Sequence, residues 1–236
     1  MDIRGMHYDV KYKLNKIDSQ QYRNLKVPEI DWVLNEAYEV YIKSIAEPRQ
    51  KNNLGFETIQ RSIDDIRPLV KDAVEITTVT TSGVTTAPLP LDYMFYLSSD
   101  VIMTKPKCGN RIGKSLLKQH DDYLLGNHLY KSSYEWGTVN IRFHSEGIRI
   151  FTDTTFTVPK LILDYIRKPA YIHNAQDFLP TGSYKLPDGT VLTGTKDCEL
   201  PPHTHREIVD IAVLILTGNL QIPDYQIKQA KLNLNN

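Results

Sequence analysis

Apolar residues recur every three or four positions at the start of the chain. Met6, Val10, Leu14 and Ile17 are spaced to line one side of a helix. A second, longer stripe follows: Ile30, Val33, Leu34, Ala37, Tyr41 and Ile45. Pro28 stands where a first-turn proline belongs, Glu29 and Asp31 supply the acidic first turn, and Pro48 closes the segment. Ile59, Ile63 and Ile66 suggest a short third helix that stops near Pro68. These periodicities predict a helical segment over residues 1–73.

The period then changes. Residues 74–84 are rich in Val and Thr, whose branched side chains suit a pleated surface. Residues 91–104 read as a strand, or as a short helix followed by one. Val139–Phe143, Ile148–Phe151 and Val158–Arg167 alternate as strands, with Gly147 at the turn between the first two. A β-rich domain over 74–170, an antiparallel sheet or small sandwich, is the expectation. Residues 171–203 are punctuated by proline and glycine and read as an extended arm. Within it, Pro187-Asp188-Gly189 turns Tyr184–Leu186 back onto Val191–Leu192. Residues 204–236 return to helical spacing. Thr204 and Glu207 form a capping box, Ile208, Ile211, Ala212 and Ile215 make the apolar face, and Gly218 is the expected C-cap before an Asn/Leu tail. The fold class is α+β. Helices at both ends pack together as a bundle, and the sheet is inserted between them.

Composition narrows the function classes. The chain has 236 residues with 28 basic and 28 acidic side chains, so it lacks the net positive charge usual in proteins that coat nucleic acid. Only two cysteines occur, Cys108 and Cys198, and no disulfide framework follows; two thiols in a reducing compartment are expected. Neither a signal peptide nor an apolar run long enough to span a membrane is read from the sequence.

The candidate chemistry is sparse. Gly109–Ser115 resembles a phosphate loop, but only three residues separate Gly109 from Gly113, where four are needed to wrap phosphates, and Pro106 precedes it. A basic, flexible loop is the expectation. His203 and His205 with Cys198 suggest a metal fragment, yet a site needs three or four converging ligands, and the capping box already accounts for this stretch. His7, His120, His128, His144 and His173 form no set. Asp64-Asp65 and Asp121-Asp122 are read as solvated surface, since neighbours on a helix do not face each other. No catalytic residue, cofactor site or metal site is therefore expected. The fourteen tyrosines, with Tyr93, Tyr96, Tyr123, Tyr130 and Tyr134 near the β region, are either interface residues or half-buried sheet residues.

Four stretches carry a resemblance. They are Pro28–Ala37 (PEIDWVLNEA), Leu89–Tyr93 (LPLDY), Leu163–Pro169 (LDYIRKP) and Leu200–Val213 (LPPHTHREIVDIAV), in this order after the helix of Met6–Ile17. The series resembles the ring, or head-to-tail adaptor, proteins of crAss-like bacteriophages. That resemblance implies a non-enzymatic virion subunit in the neck or tail, made in the cytoplasm of the bacterial host. It implies a homo-oligomeric, twelvefold ring that contacts the portal protein and other tail or ring proteins, and that surrounds genomic DNA without reading its sequence. The arm and tail suit contact with neighbours. Tyr184, Leu186, Val191, Leu192, Ile222, Tyr225, Ile227, Leu232 and Leu234 are the expected interface residues. The large β portion departs from more helical adaptors and leaves a lower tail ring, a tail tube or a head decoration as alternatives. A nucleotide-dependent enzyme using Gly109–Ser115, or a carbohydrate-binding module using the tyrosines, are the readings from other classes.

Overall fold

The computed structural model describes residues 1–15, 25–46, 64–118, 130–145 and 147–219. The chain is α+β. It divides into two compact units: Met1–Leu69 with Pro169–Asn236, and Val70–Lys168. The first unit is thus assembled from both ends of the chain, and the second is one continuous segment.

The helical unit contains α1 (Ile3–Asn15), α2 (Val27–Ala46) and α3 (His205–Asn219). Helix α3 packs on both α1 and α2. Ile3, Met6, Val10 and Leu14 of α1 are buried, as are Ile30, Val33, Leu34, Ala37, Tyr38, Tyr41 and Ile42 of α2. Asp2 caps α1, accepting from Gly5 N at 2.9 Å. Asp197 satisfies a second first-turn donor, Ile3 N, at 2.8 Å. Residues 64–66 are helical and run into a 3-10 turn at Arg67–Leu69. Ile17, Ile59 and Ile63 lie outside the described residues. On α3 the buried face is Ile208, Val209, Ala212, Val213 and Leu216, while Ile211 and Ile215 are half-buried. The expected stripe was therefore rotated by part of a turn. Gly218 is no C-cap, because α3 continues through it to Asn219.

The arm is not loose. Its residues Ile172, His173, Asn174 and Ala175 are buried. Strand β9 (His173–Asn174) pairs with β12 (Thr195–Lys196), and the expected hairpin forms from β10 (Ser183–Lys185) and β11 (Val191–Thr193).

The β unit holds one eight-stranded sheet rather than two packed layers. Its strands are β1 (Val70–Thr77), β2 (Val79–Thr81), β3 (Val84–Ala87), β4 (Tyr93–Lys105), β5 (Gly109–Leu117), β6 (Thr138–His144), β7 (Gly147–Phe151) and β8 (Thr157–Arg167). Their order is β1-β8-β4-β5-β6-β7-β3-β2. Neighbours are antiparallel except for β5 and β6. The outermost strands, β1 and β2, are separated in sequence by Thr78 alone, so the sheet must curl until its two edges approach each other. Thr78 prolongs the pairing of β1 with β8: its N–H donates to Pro159 O at 3.1 Å and its hydroxyl to Val158 O. The curled sheet encloses Ile76, Val101, Met103, Val139, Ile141, Ile148, Ile150, Phe156, Val158, Leu161 and Leu163. Residues 91–92 form a turn before β4, so no short helix precedes that strand.

Gly109–Ser115 is a strand rather than a flexible loop. Residues of β5 pair with β4 in continuous register from Asp100↔Lys114 to Lys105↔Gly109. Gly113 is required there: a Cβ would sit 2.5 Å from Met103 Cε and 2.9 Å from Gly137 O. The second glycine of the apparent motif therefore makes room for the core and not for a phosphate.

Candidate assembly surfaces

Several ionisable side chains are buried inside the helical unit: His7, Asp31, Asp65, His173 and His205. The centre of the helical unit is Asp31, fully buried on α2. Its Oδ1 accepts from His7 Nε2 at 2.7 Å. Its Oδ2 accepts from the Tyr184 hydroxyl at 2.7 Å. The backbone N of Asn174 donates to both oxygens, at 3.2 and 3.1 Å. A carboxylate only accepts, so the His7 hydrogen sits on Nε2. Each residue comes from a different part of the unit: α1, α2, β9 and β10. One turn along α2, Asn35 receives Ile172 N at 2.9 Å and donates to Ile172 O at 2.7 Å, as a neighbouring strand would. These bonds seat the arm on α2. Burial, reinforced by the bond to Asp31, raises the Tyr184 hydroxyl far above its ordinary range, so it stays a donor.

His203, His205 and Cys198, weighed above as a metal fragment, are engaged elsewhere. His203 Nε2 lies 2.6 Å from Asp65 Oδ1. His205 Nδ1 is 2.7 Å from Met1 O and its Nε2 is 2.9 Å from Leu200 O. Burial pushes the Cys198 thiol up, away from the thiolate that binds metal or attacks carbonyls. Among the described residues no three His, Cys, Asp or Glu side chains converge to hold a metal ion. Asp65 is not solvated surface as expected; it is buried, and Tyr41 also donates to it at 3.4 Å. Asp121, Asp122, His120 and His128 lie outside the described residues. No helix among the described residues is long and apolar enough to cross a membrane.

No family model matches this chain, and no curated protein does either. What the molecule offers to a partner must be read from its surface.

Among the described residues, exposed apolar side chains include Trp32 and Val40 of α2, Leu91, Leu97 and Leu179, and two groups that lie close together in one element. On α1, Tyr8 and Tyr12 are 72% and 53% exposed, and their rings stack with centroids 6.4 Å apart and planes at 12°. They are one helical turn apart on the side opposite the buried stripe. An open depression beside Tyr8 is lined by Met1, Gly5, Asp9, Lys13 and Arg206. On the β unit, Ile112, Leu116 and Leu117 of β5 are exposed, as is Trp136 at 83%. Tyr93 and Tyr96 are instead packed on the core, against Phe143 at 6.3 and 5.3 Å. Tyr134 packs on Phe156 at 6.3 Å, Tyr130 is exposed, and Tyr123 lies outside the described residues.

The residues expected at an interface fall into three groups. Tyr184 is consumed by the bond to Asp31. Leu186 and Leu192 are half-buried, while Val191 is exposed at the arm hairpin. Ile222, Tyr225, Ile227, Leu232 and Leu234 lie outside the described residues. The Tyr8–Tyr12 face was missed. Its signal was present, because both tyrosines stand off the Met6–Val10–Leu14 stripe, where polar residues are the norm.

Proposed function

We propose that this chain is a structural subunit of a bacteriophage particle, a ring-forming adaptor at the portal–tail junction. The observation that carries the reading is the pair of unlike apolar faces, one on each unit. A cyclic ring closes through heterologous contacts, in which one face of a copy meets a different face of the next. Stacked tyrosines on a helix, and Ile112 and Leu116 on one face of β5, are two such different surfaces. Exposed aromatics are also the side chains that anchor interfaces most strongly.

The chain's reactive groups support the same reading. Asp31, His7, Asp65 and His205 are buried in hydrogen bonds that hold the helical unit together. The ring's partners are further copies of itself, the portal protein, adjacent tail or ring proteins, and genomic DNA in the lumen.

Imaging the particle neck and counting copies around its axis tests this. A single closed layer of twelvefold symmetry beneath the portal supports the reading. Copies spread over the capsid surface, or a particle without the protein, overturn it. Tyr8→Asp with Tyr12→Asp places charge in one of the two faces; it should leave the monomer folded and absent from purified particles.

A further inference from the structure

Both ring nitrogens of His205 meet carbonyl oxygens: Nδ1 lies 2.7 Å from Met1 O, and Nε2 lies 2.9 Å from Leu200 O. A carbonyl oxygen only accepts, so each contact needs a hydrogen on the ring nitrogen. A neutral imidazole has one N–H and one lone pair, and it can make only one of the two bonds. The ring that satisfies both is the imidazolium. His7 and His203 differ, because each meets a carboxylate through Nε2 alone, which a neutral ring can do.

The charge on His205 has no counter-ion. The side chain is 3% exposed. The acids on every side of it have other partners. On the α1 side, Asp2 accepts from Gly5 N, and Asp197 accepts from Ile3 N. Before α3, Glu199 accepts from Ala170 N, and Asp65 meets His203. Along α3, Asp210 pairs with Lys13, while Arg206 is exposed and Glu207 half-buried. On α2, Asp31 is taken by His7 and Tyr184, and Glu36, Glu39 and Lys43 are exposed. Among the described residues none of these carboxylates forms an ion pair with His205. Burial and the positive end of α3 oppose the charge, and two carbonyl oxygens require it. Such opposed demands make a switch.

We propose that His205 is a pH-operated latch that fastens the start of α1 to the start of α3. Histidine changes charge between about pH 5 and 8. The protonated ring holds both carbonyls. The neutral ring keeps one, so the latch opens as pH rises. Leu200 is the carbonyl that stays. It is buried, and the turn after it is tied by Thr204, whose N–H and hydroxyl donate to Pro201 O at 3.0 and 2.9 Å. Met1 is half-buried and lets go. Met1 also lines the open depressions on either side of Arg206, one of them beside Tyr8, so opening the latch reshapes that surface. The latch does not rest on the ring reading.

The test uses the full chain with ¹⁵N-labelled histidine. At about pH 5.5 the His205 ring should show two N–H groups, and at about pH 8 one, on Nε2. One N–H at the lower pH, or two at both, overturns the latch. Across the same interval the amide protection of Ile3, Gly5 and Met6, corrected for the intrinsic exchange rate, should fall about tenfold, the effect of one lost charged hydrogen bond. Unchanged protection overturns it as well. His205→Gln keeps a donor in the place of Nε2 and none in that of Nδ1. It should show the low protection at both pH values, and a pH step that survives in it would belong to another group and sink the proposal. His203→Gln should keep the step; its disappearance there would assign the step to the Asp65 pair instead.

Discussion

The two units solve the same problem by opposite means. The β unit is one continuous segment wrapped around an apolar interior, and its buried polar side chains among the described residues, Thr85, Ser99, Ser132 and Asn140, are all uncharged. The helical unit joins chain ends separated by about a hundred residues, and it buries a carboxylate at the point where they meet. Hydrophobic burial is non-directional: it collapses a chain without dictating which segment lies where. Within the sheet, strand register supplies that missing direction. Between the helices and the returning arm there is no register, and Asp31 and Asn35 supply it by accepting only particular donors. The comparison teaches that a buried polar hub is found where distant segments must be aligned, at an electrostatic cost that a locally wound sheet avoids.

The sharpest way to break that comparison is Asp31→Ala. It leaves His7 Nε2, Asn174 N and the Tyr184 hydroxyl without their acceptor, and such a loss from a buried network costs about 3–5 kcal/mol. Hydrogen exchange should show the arm and α1 opening while the β-sheet amides stay protected. Equal deprotection of the sheet would show that the units do not differ in this way. Next comes Gly113→Ala in the sheet, where the added methyl meets Met103 and the Gly137 carbonyl; overpacking of this kind costs about 1–3 kcal/mol. Chemical denaturation reads it, and Met103→Ala should restore part of the loss, the rest remaining with the backbone contact.

A smaller effect is expected from Asn35→Ala. It removes both bonds to Ile172 and should cost about 1–3 kcal/mol, with faster exchange confined to residues near Ile172. A wild-type exchange pattern there would mean that packing alone seats the arm.

The mildest test uses alkaline pH and touches both units alike. Burial, helped by the bond to Asp92, lifts the Tyr165 hydroxyl to about 12; burial and the nearby Asp31 charge lift Tyr171 to about 12. Both folded values lie above the ordinary 10.0. Below about pH 10 each tyrosine is protonated whether folded or unfolded, and its contribution is intact. Between about 10 and 12 the unfolded chain releases protons that the fold retains, so stability falls as pH rises. Denaturation midpoints across that window should decline, and tyrosinate absorbance should appear late for these two rings. Tyr165→Phe should flatten the part of the decline that belongs to the β unit.

Much of the fold was legible because its signals are local. The α2 stripe, the β8 alternation and the Pro187–Gly189 turn each depend on residues within one element. What escaped was set by partners far along the chain. Asp31 looked like a favourable first-turn acid, yet it lies at helical spacing from Leu34 and Tyr38 on the buried face, and its donors are 24 to 153 positions away. Asp65 looked solvated for the same reason; its partner His203 is 138 positions distant. Gly113 looked like part of a motif because the methyl group that fills its space belongs to Met103 on another strand.

The stretches that carried the family resemblance behave alike. Asp92 of LPLDY receives the Tyr165 hydroxyl of LDYIRKP at 2.8 Å, and Asp164 of that strand accepts from Ala73 N at 2.7 Å. These residues join segments, so their spacing was visible while their purpose was not. The candidate surfaces were the least legible part. Tyr8 and Tyr12 could be placed off the apolar stripe of α1, but Trp136 stands in a turn where no periodicity marks which residues are exposed.

The curl that brings β1 and β2 together around Thr78 bears on a hazard of any protein present in many identical copies. An open sheet offers its last strand as a template, and sister chains can add to it without limit. Here one outer strand, β2, spans three residues, and the other, β1, is interrupted between Lys71 and Val74, with Ala73 at φ 54° and charges at Lys71, Asp72 and Glu75. Copies of this chain crowded together are thus steered away from growing into fibrils by strand addition.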